Sequence, residues 1–372
     1  VSTDVLVIGA GIVGAACARA LQQRGLSVAL VDATTPGAGV TAAGMGHLVV
    51  LDHDETELCL FSMRLWREFN DAHPEIGEFS RCGTLWVAEN ETQLQEALQR
   101  AERYSQRGWN AEFIQGKNMR QLEPQLRSGL CGGVLVSNDA VVFPPKVAQF
   151  LAMQCMQFGG KVHLGQRVVA LTDGAVELAN GVSLTAKHIV LATGVETAQL
   201  LPEVPVFARK GHLAITDRYP GLLQHQIVNM NYGQIESGSD NLAVAANVQA
   251  RPNGQWLVGS CRQDGQLDTK LDFSVLSKVL LSAIELLPCL SEMRILRAWA
   301  GMRPATPDGH PLIGPHPFRP GLWLATGHEG LGITTAFATA EILADQIMRQ
   351  PGSFDASAYL PSRFSMKVDH AA

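Results

Sequence analysis

The chain has 372 residues, 46% hydrophobic and 17% charged, with a formal net charge of −6. That length exceeds what a single core serves, so two lobes are expected; no apolar run reaches the roughly 18–20 residues of a membrane span, and the 29 lysines and arginines are scattered, which argues against a nucleic-acid ligand. Its cysteines (Cys17, Cys59, Cys82, Cys131, Cys155, Cys261 and Cys289) are odd in number and form no CxxC pair, so they read as reduced thiols of a cytoplasmic protein, peripheral membrane contact staying open, and not as a disulfide frame or zinc site.

VSTDVLVIG has no basic stretch before its first apolar run, so no export signal is expected. DVLVIG (4–9) is an apolar run of strand length that leads directly into GAGIVG (9–14). Helical spacing follows to about Arg24, Gly25 breaks it, and SVALVD (27–32) is a second buried strand. PGAGVTAAGMG (36–46) has neither period and reads as a loop. From Asp52 to about His73 the spacing is helical, with Asp52 and Glu55 as a capping box. The apolar and aromatic residues of LCLFSMRLW (58–66) then read as core. His53, Asp52, Asp54 and Glu55 could suggest a metal, but consecutive helical residues diverge, so a solvated helix start is preferred and no metal site is expected.

Residues 76–138 look like an insertion, with a strand at 83–89 and a helix from about Thr92 to Gly108. The stretch 142–160 starts a helix with proline and stops it with glycine. Strand-like 161–171, a turn at Asp173 and Gly174, and a ribbon lead to the buried strand HIVLATG (188–194). Alternating strands fill 205–299 around one helix, Val275 to Leu287. LWLATG (322–327) is strand-like and a helix over 332–350 closes the chain. The α/β pieces thus fall in separated blocks, which predicts an α/β, two-domain chain: one nucleotide-binding domain from 1–75, 139–204 and 300–372, and one sheet-rich domain from 76–138 and 205–299.

GAGIVG carries chemistry because of its context between strand and helix. Gly9 permits the tight turn, Gly11 lets a pyrophosphate approach the backbone, and Gly14 lets helix pack on sheet. Helix N–H groups meet the phosphates, and Asp32, at the end of the second strand, suits a ribose hydroxyl. The small residues around Thr41, and the late return of LATG and GHEGLGIT to the same sheet, favour FAD over a nicotinamide cofactor.

VIGAGIVG (7–14), TAAGMG (41–46), LATG (191–194), WAGMRPATPDGHPLIGP (299–315) and ATGHEGLGITTAFATAEILADQI (325–347) resemble the D-amino-acid oxidase-like FAD oxidoreductases over almost the whole chain. That group includes glycine oxidase, sarcosine oxidase and bacterial D-amino-acid dehydrogenases. The resemblance implies a discontinuous Rossmann-like FAD-binding domain and an antiparallel-sheet substrate domain. It implies that Thr41, Ala42, Ala43, Gly44, Met45 and Gly46 lie along pyrophosphate and flavin, and that the Val168 backbone meets the adenine. Thr193 and Gly194 end a strand beside the cofactor, and Gly301 and Met302 approach the flavin. The last loop, Gly330, Leu331, Gly332, Ile333 and Thr334, would offer backbone N–H groups and a helix dipole to the reduced flavin; the alternative is a plain helix-entry loop.

In amino-acid-oxidising relatives the arginine matching Arg303 clamps the substrate carboxylate; otherwise Arg303 would pair with Asp308 across its turn. Departures from glycine oxidase matter. Gly330 stands where that enzyme has a second arginine, and Asn247 aligns with a tyrosine of its substrate sheet. Gly301 replaces the cysteine that carries the flavin in monomeric sarcosine oxidase, so FAD should be non-covalent. His47 and His328 are expected near the flavin ring, either tuning amine protonation around neutrality or as satisfied polar residues; Lys210 faces the site or the surface.

The resemblance therefore implies oxidation of the C–N bond of a small amino or imino acid, a D-amino acid or proline derivative. The hydride goes to flavin N5 and the imine is hydrolysed. An oxidase that makes peroxide, and a flavoprotein subunit passing electrons to a partner or quinone, are the alternatives.

Overall fold

The computed structural model describes residues 3–50, 56–172, 174–230, 242–352 and 354–366. Its first sheet runs in the order Leu312–Pro315, Leu322–Thr326, Ser183–Leu191, Thr3–Ile8, Val28–Asp32, Lys161–Leu164. All neighbours are parallel except the first pair. A parallel sheet is covered on both faces, and alternate residues of Thr3–Ile8 show this: Val5 and Val7 join one buried cluster while Leu6 and Ile8 join another. The helix Ile12–Gln23 lies on the first of these faces. Its buried Ala15, Ala16 and Ala20 leave room for the neighbouring helices Pro144–Gln157 and Ala336–Met348. The antiparallel ribbon Val168–Thr172 and Ala175–Leu178 covers the other face.

The second sheet runs Ile295–Ala305, Phe207–Arg218, Gln255–Gln263, Leu242–Ala250, Gln226–Asn229, Thr84–Ala88, Gly132–Val136, Ala111–Gln115. Pairing is antiparallel except between Gln226–Asn229 and Thr84–Ala88. The helix Phe273–Leu286 packs on it over the fully buried Trp256. Its first strand in that order runs to Ala305, so the chain stays in this sheet beyond residue 300. That strand meets the glycine-rich segment: a Cβ on Gly301 would lie 2.6 Å from the Ala43 Cβ.

Some boundaries differ from expectation. Within 36–46 the chain makes one helical turn, Val40–Ala43, after Gly39 turns with φ +63°. A two-residue strand, His47–Leu48, pairs with Ala140–Val141. Asp272 caps the helix Phe273–Leu286 by accepting from the backbone N–H of Ser274 and Val275, which moves its start ahead of Val275. The closing helix begins at Ala336, after a short turn at Glu329–Leu331, and not near Ile333. Trp66, on the helix Thr56–Ala72, fixes this entry: its indole N–H donates to the carbonyls of Ile333 and Thr334, and its ring meets Phe337 edge-on at 4.6 Å. Asp52, His53, Asp54, Glu55 and Asp173 lie outside the described residues. Among the described residues, no helix is long and apolar enough to cross a membrane, and no cluster of three metal-ligating side chains forms.

Candidate active site

A cavity of about 380 Å3 runs from the end of Val28–Asp32 to the junction of the two sheets. Its outer end is built by the first turn of the chain. Gly9 has φ +99°, and a Cβ there would sit 2.4 Å from the Ala192 carbonyl oxygen, so the turn is closed to any side chain. A Cβ on Gly14 would fall 1.9 Å from the Gly9 oxygen, which makes Gly14 the helix-on-strand contact and keeps it off the cavity wall. Gly11 is the N-cap of Ile12–Gln23 and gives it no side-chain cap. The Thr41 hydroxyl, from the other glycine-rich segment, accepts from the Ile12 N–H at 3.0 Å. The Asp32 carboxylate is held by the Ala10 N–H at 2.7 Å and by the N–H and hydroxyl of Thr34 at 2.7 and 2.9 Å. A helix N-terminus, two glycines without room for a Cβ or beside a hydroxyl, and an oriented carboxylate fit a dinucleotide laid across them. Val168 lines this end too, with Arg167 and Glu196, which pair at 3.2 Å and which the sequence did not single out.

The middle of the wall is formed by Thr41, Ala43, Gly44, Met45, Gly46, Thr193 and Gly194. Ala42 is exposed and does not line it. At the inner end stand Arg303, Gly301, His47, Asn247, His328, Gly330, Gly332 and Ile333. Met302 is buried off the wall, Leu331 packs with Val49 and Cys59, and the Thr334 hydroxyl donates to the His47 carbonyl. The Leu331 N–H is taken by the His328 carbonyl, and Gly330, Gly332 and Ile333 are the part of that loop that reaches the cavity. Lys210 is turned away: its ammonium meets Asp268 at 3.0 Å.

Arg303 does not pair with Asp308, whose carboxylate is held by Arg363 at 2.7 and 3.1 Å. Arg303 instead donates through Nη2 to the Ser260 hydroxyl at 2.8 Å and the Cys261 carbonyl at 2.7 Å, and through Nη1 to Glu329 Oε1 at 3.1 Å. Glu329 and Ser260 also line the cavity and were not legible beforehand; the only hint was an acid inside GHEGLG. Gly211, on the neighbouring strand, makes room for the guanidinium: a Cβ there would lie 2.5 Å from Arg303 Nη2. Because that atom ends a flexible side chain, Gly211→Ala should fold and displace the guanidinium. The expected result is a KM for the substrate raised by roughly threefold to tenfold with an unchanged melting temperature; an unchanged KM would contradict it.

Neither histidine titrates near neutrality. Burial lowers His47 to about 3 and His328 to about 4, so both rings are neutral. The Asn247 amide N–H lies 3.3 Å from His47 Nδ1, which places the ring proton on Nε2. Among the described residues that His47 Nε2 and the Asn247 Oδ1 are buried without a partner, a donor and an acceptor left for a bound molecule. His328 Nε2 sits 3.0 Å from the Thr339 hydroxyl. A histidine whose folded pKa is depressed takes its proton only in the unfolded chain, so stability is lost as pH falls below the unfolded value. Lowering pH from about 7 to about 5 should cost about 1–2 kcal/mol per ring. The fall in melting temperature over that range should be shallower in His328→Gln than in the parent; equal slopes would show that the ring does not titrate this way.

Residues 4–346 match the family model described as FAD dependent oxidoreductase. The chain belongs to this family. It is 27% identical to glycine oxidase of Pseudomonas aeruginosa, over 97% of this chain and 99% of that one. The fold superposes on glycine oxidase from Geobacillus kaustophilus with a TM-score of 0.86 at 23% identity, covering 98% and 99% of the two chains. It superposes on L-proline dehydrogenase from P. horikoshii with a TM-score of 0.87 at 20% identity, covering 98% of each. The expected kinship, the two-sheet FAD fold and the FAD-dependent class of this enzyme are thereby established.

Proposed function

We propose that this flavoenzyme oxidises the C–N bond of a small amino or imino acid, a D-amino acid or a proline derivative, with Arg303 as the carboxylate anchor. What carries the reading is one cavity that has the dinucleotide features of Gly9, Gly11 and Asp32 at one end and a gripped arginine at the other. FAD, when bound, supplies the two-electron acceptor for the substrate hydride, and the imine product hydrolyses in water. Gly9, Gly11 and Asp32 would hold its adenosine and pyrophosphate, Val168 its adenine, and the Thr41–Gly46 segment with Thr193, Gly194 and Gly301 the remainder. No cysteine stands at position 301, so the attachment is non-covalent.

The chain's own contribution is orientation. Arg303 fixes the carboxylate, while His47 and Asn247 offer one donor and one acceptor to the same substrate. As neutral rings, His47 and His328 are poor proton acceptors at neutral pH, so the amine must enter the site already neutral. Gly330 and Asn247 in place of a second arginine and a tyrosine leave fewer carboxylate holders than glycine oxidase has, which supports a substrate larger than glycine.

The test is the visible spectrum of the purified protein followed anaerobically as D-amino acids, N-methyl glycine and D-hydroxyproline are added in turn. Bleaching of the flavin bands by one of them is the expected result, and peroxide on admitting air identifies oxygen as the acceptor. A bound flavin that none of them bleaches would overturn the substrate class.

A further inference from the structure

Glu329 stands out in the site because its carboxylate already occupies the residue that the proposed substrate needs. We propose that Glu329 is a built-in competitor: it holds Arg303 until a substrate arrives and yields it to the incoming carboxylate, moving its ion pair onto Arg262. This rests on Arg303 being the substrate anchor.

The geometry supplies both halves of the exchange. Glu329 Oε1 is 3.1 Å from Arg303 Nη1, 3.3 Å from Arg262 Nε and 3.9 Å from Arg209 Nη1. The carboxylate is 8% exposed and the Arg303 side chain 15%. A buried carboxylate stripped of its only cation would be costly, but this one keeps the Arg262 guanidinium within reach, so a small rotation gives up Arg303 and tightens on Arg262; Arg209 adds its charge at longer range while Asp264 holds it at 2.8 and 3.1 Å. The other oxygen, Oε2, accepts from the Gly330 N–H at 2.6 Å and marks the pivot. The backbone is committed to this position, since Glu329 holds φ +46°, a conformation that a side chain other than glycine rarely adopts. Arg303 for its part keeps Ser260 and Cys261 throughout, and the exchange changes the partner of Nη1.

The consequence is specificity. A ligand must carry a carboxylate to replace Glu329 on Arg303, and an amine of the same shape without one cannot. The cost of the exchange is set against every carboxylate ligand alike, so removing the Glu329 charge should tighten carboxylate binding, where removal of a merely structural ion pair would loosen it.

Acetate and benzoate, neither of which carries an oxidisable C–N bond, are the probes. Each is titrated into the FAD-loaded protein and followed by the shift of the flavin absorption. Glu329→Gln should lower the Kd by about tenfold. Arg262→Gln, which removes the place to which Glu329 retreats, should raise it by about threefold or more, and the double variant should bind like Glu329→Gln alone. An unchanged or raised Kd in Glu329→Gln overturns the proposal; should that variant lose its flavin, a Kd in Arg262→Gln equal to the parent's does the same. Arg303→Ala separates the two readings. If it abolishes binding while Glu329→Gln has no effect, the anchor stands and the competitor falls. If it binds the probes as the parent does, or if the probes leave the flavin bands of the parent and of Glu329→Gln unmoved, the anchor fails and the competitor with it.

Discussion

Arg303→Lys should raise the apparent KM for the oxidised substrate by roughly tenfold or more while kcat falls less. The reason lies in how the guanidinium is held. Nη2 donates to Ser260 and Cys261 on one strand, and Nη1 faces Glu329 on the last loop, so the plane of the fork is set from two elements before substrate arrives. A carboxylate that meets a fork of fixed orientation is itself fixed in orientation. Lysine keeps the charge but offers a single point of attachment on a shorter reach, and it cannot donate at once to both strand acceptors and to a ligand. Tenfold corresponds to about 1.4 kcal/mol, the order of one charge-assisted hydrogen bond. Steady-state kinetics with the compound that bleaches the flavin decide it, and a KM within about twofold of the parent's would remove Arg303 from the anchor role.

The outer end of this site was legible in the sequence and the inner end only in part. The strands Thr3–Ile8 and Val28–Asp32 are buried on both faces, so they appear as apolar runs, and Gly9, Gly11, Gly14 and Asp32 stand at fixed offsets from them. Arg303 was conspicuous as a charge in an apolar run, but its partner was not. Asp308, the nearest acid along the chain after it, is claimed by Arg363 from the C-terminal segment, while Glu329 arrives from a separate loop. Ser260 and Cys261 belong to a strand whose alternation says which face a residue takes and nothing about what it meets there. The strand His47–Leu48 is too short to show a period. The protonation of His47 and His328 depends on burial created by distant segments, which no local pattern carries. Lys210 lies on a strand flanked by Gln255–Gln263 and Ile295–Ala305, and its side chain goes to Asp268, in the connection that follows the first of these.

Gly9→Ala should yield protein that retains little or no flavin and melts several degrees lower, and a graded series of glycines separates the causes. At Gly9 two penalties coincide: φ +99°, which costs an alanine on the order of 1–3 kcal/mol, and a Cβ 2.4 Å from the Ala192 oxygen and 2.9 Å from its carbonyl carbon. Those are backbone atoms of the central strand's continuation, so neither can step aside without moving Thr193 and Gly194, which line the same cavity. Gly25 has φ +82° but no atom within 4 Å of its Cβ position. Gly25→Ala should therefore carry only the conformational penalty and keep its flavin. Gly11 has an ordinary φ of −63° and a Cβ position 3.2 Å from the Thr41 hydroxyl. Gly11→Ala should melt close to the parent and bind FAD more weakly, because the methyl group stands where the backbone must be approached. Flavin absorbance per chain and melting temperature, measured on all three variants, distinguish a damaged fold from a blocked site. Full flavin content in Gly9→Ala would mean that the cofactor does not lie across this turn.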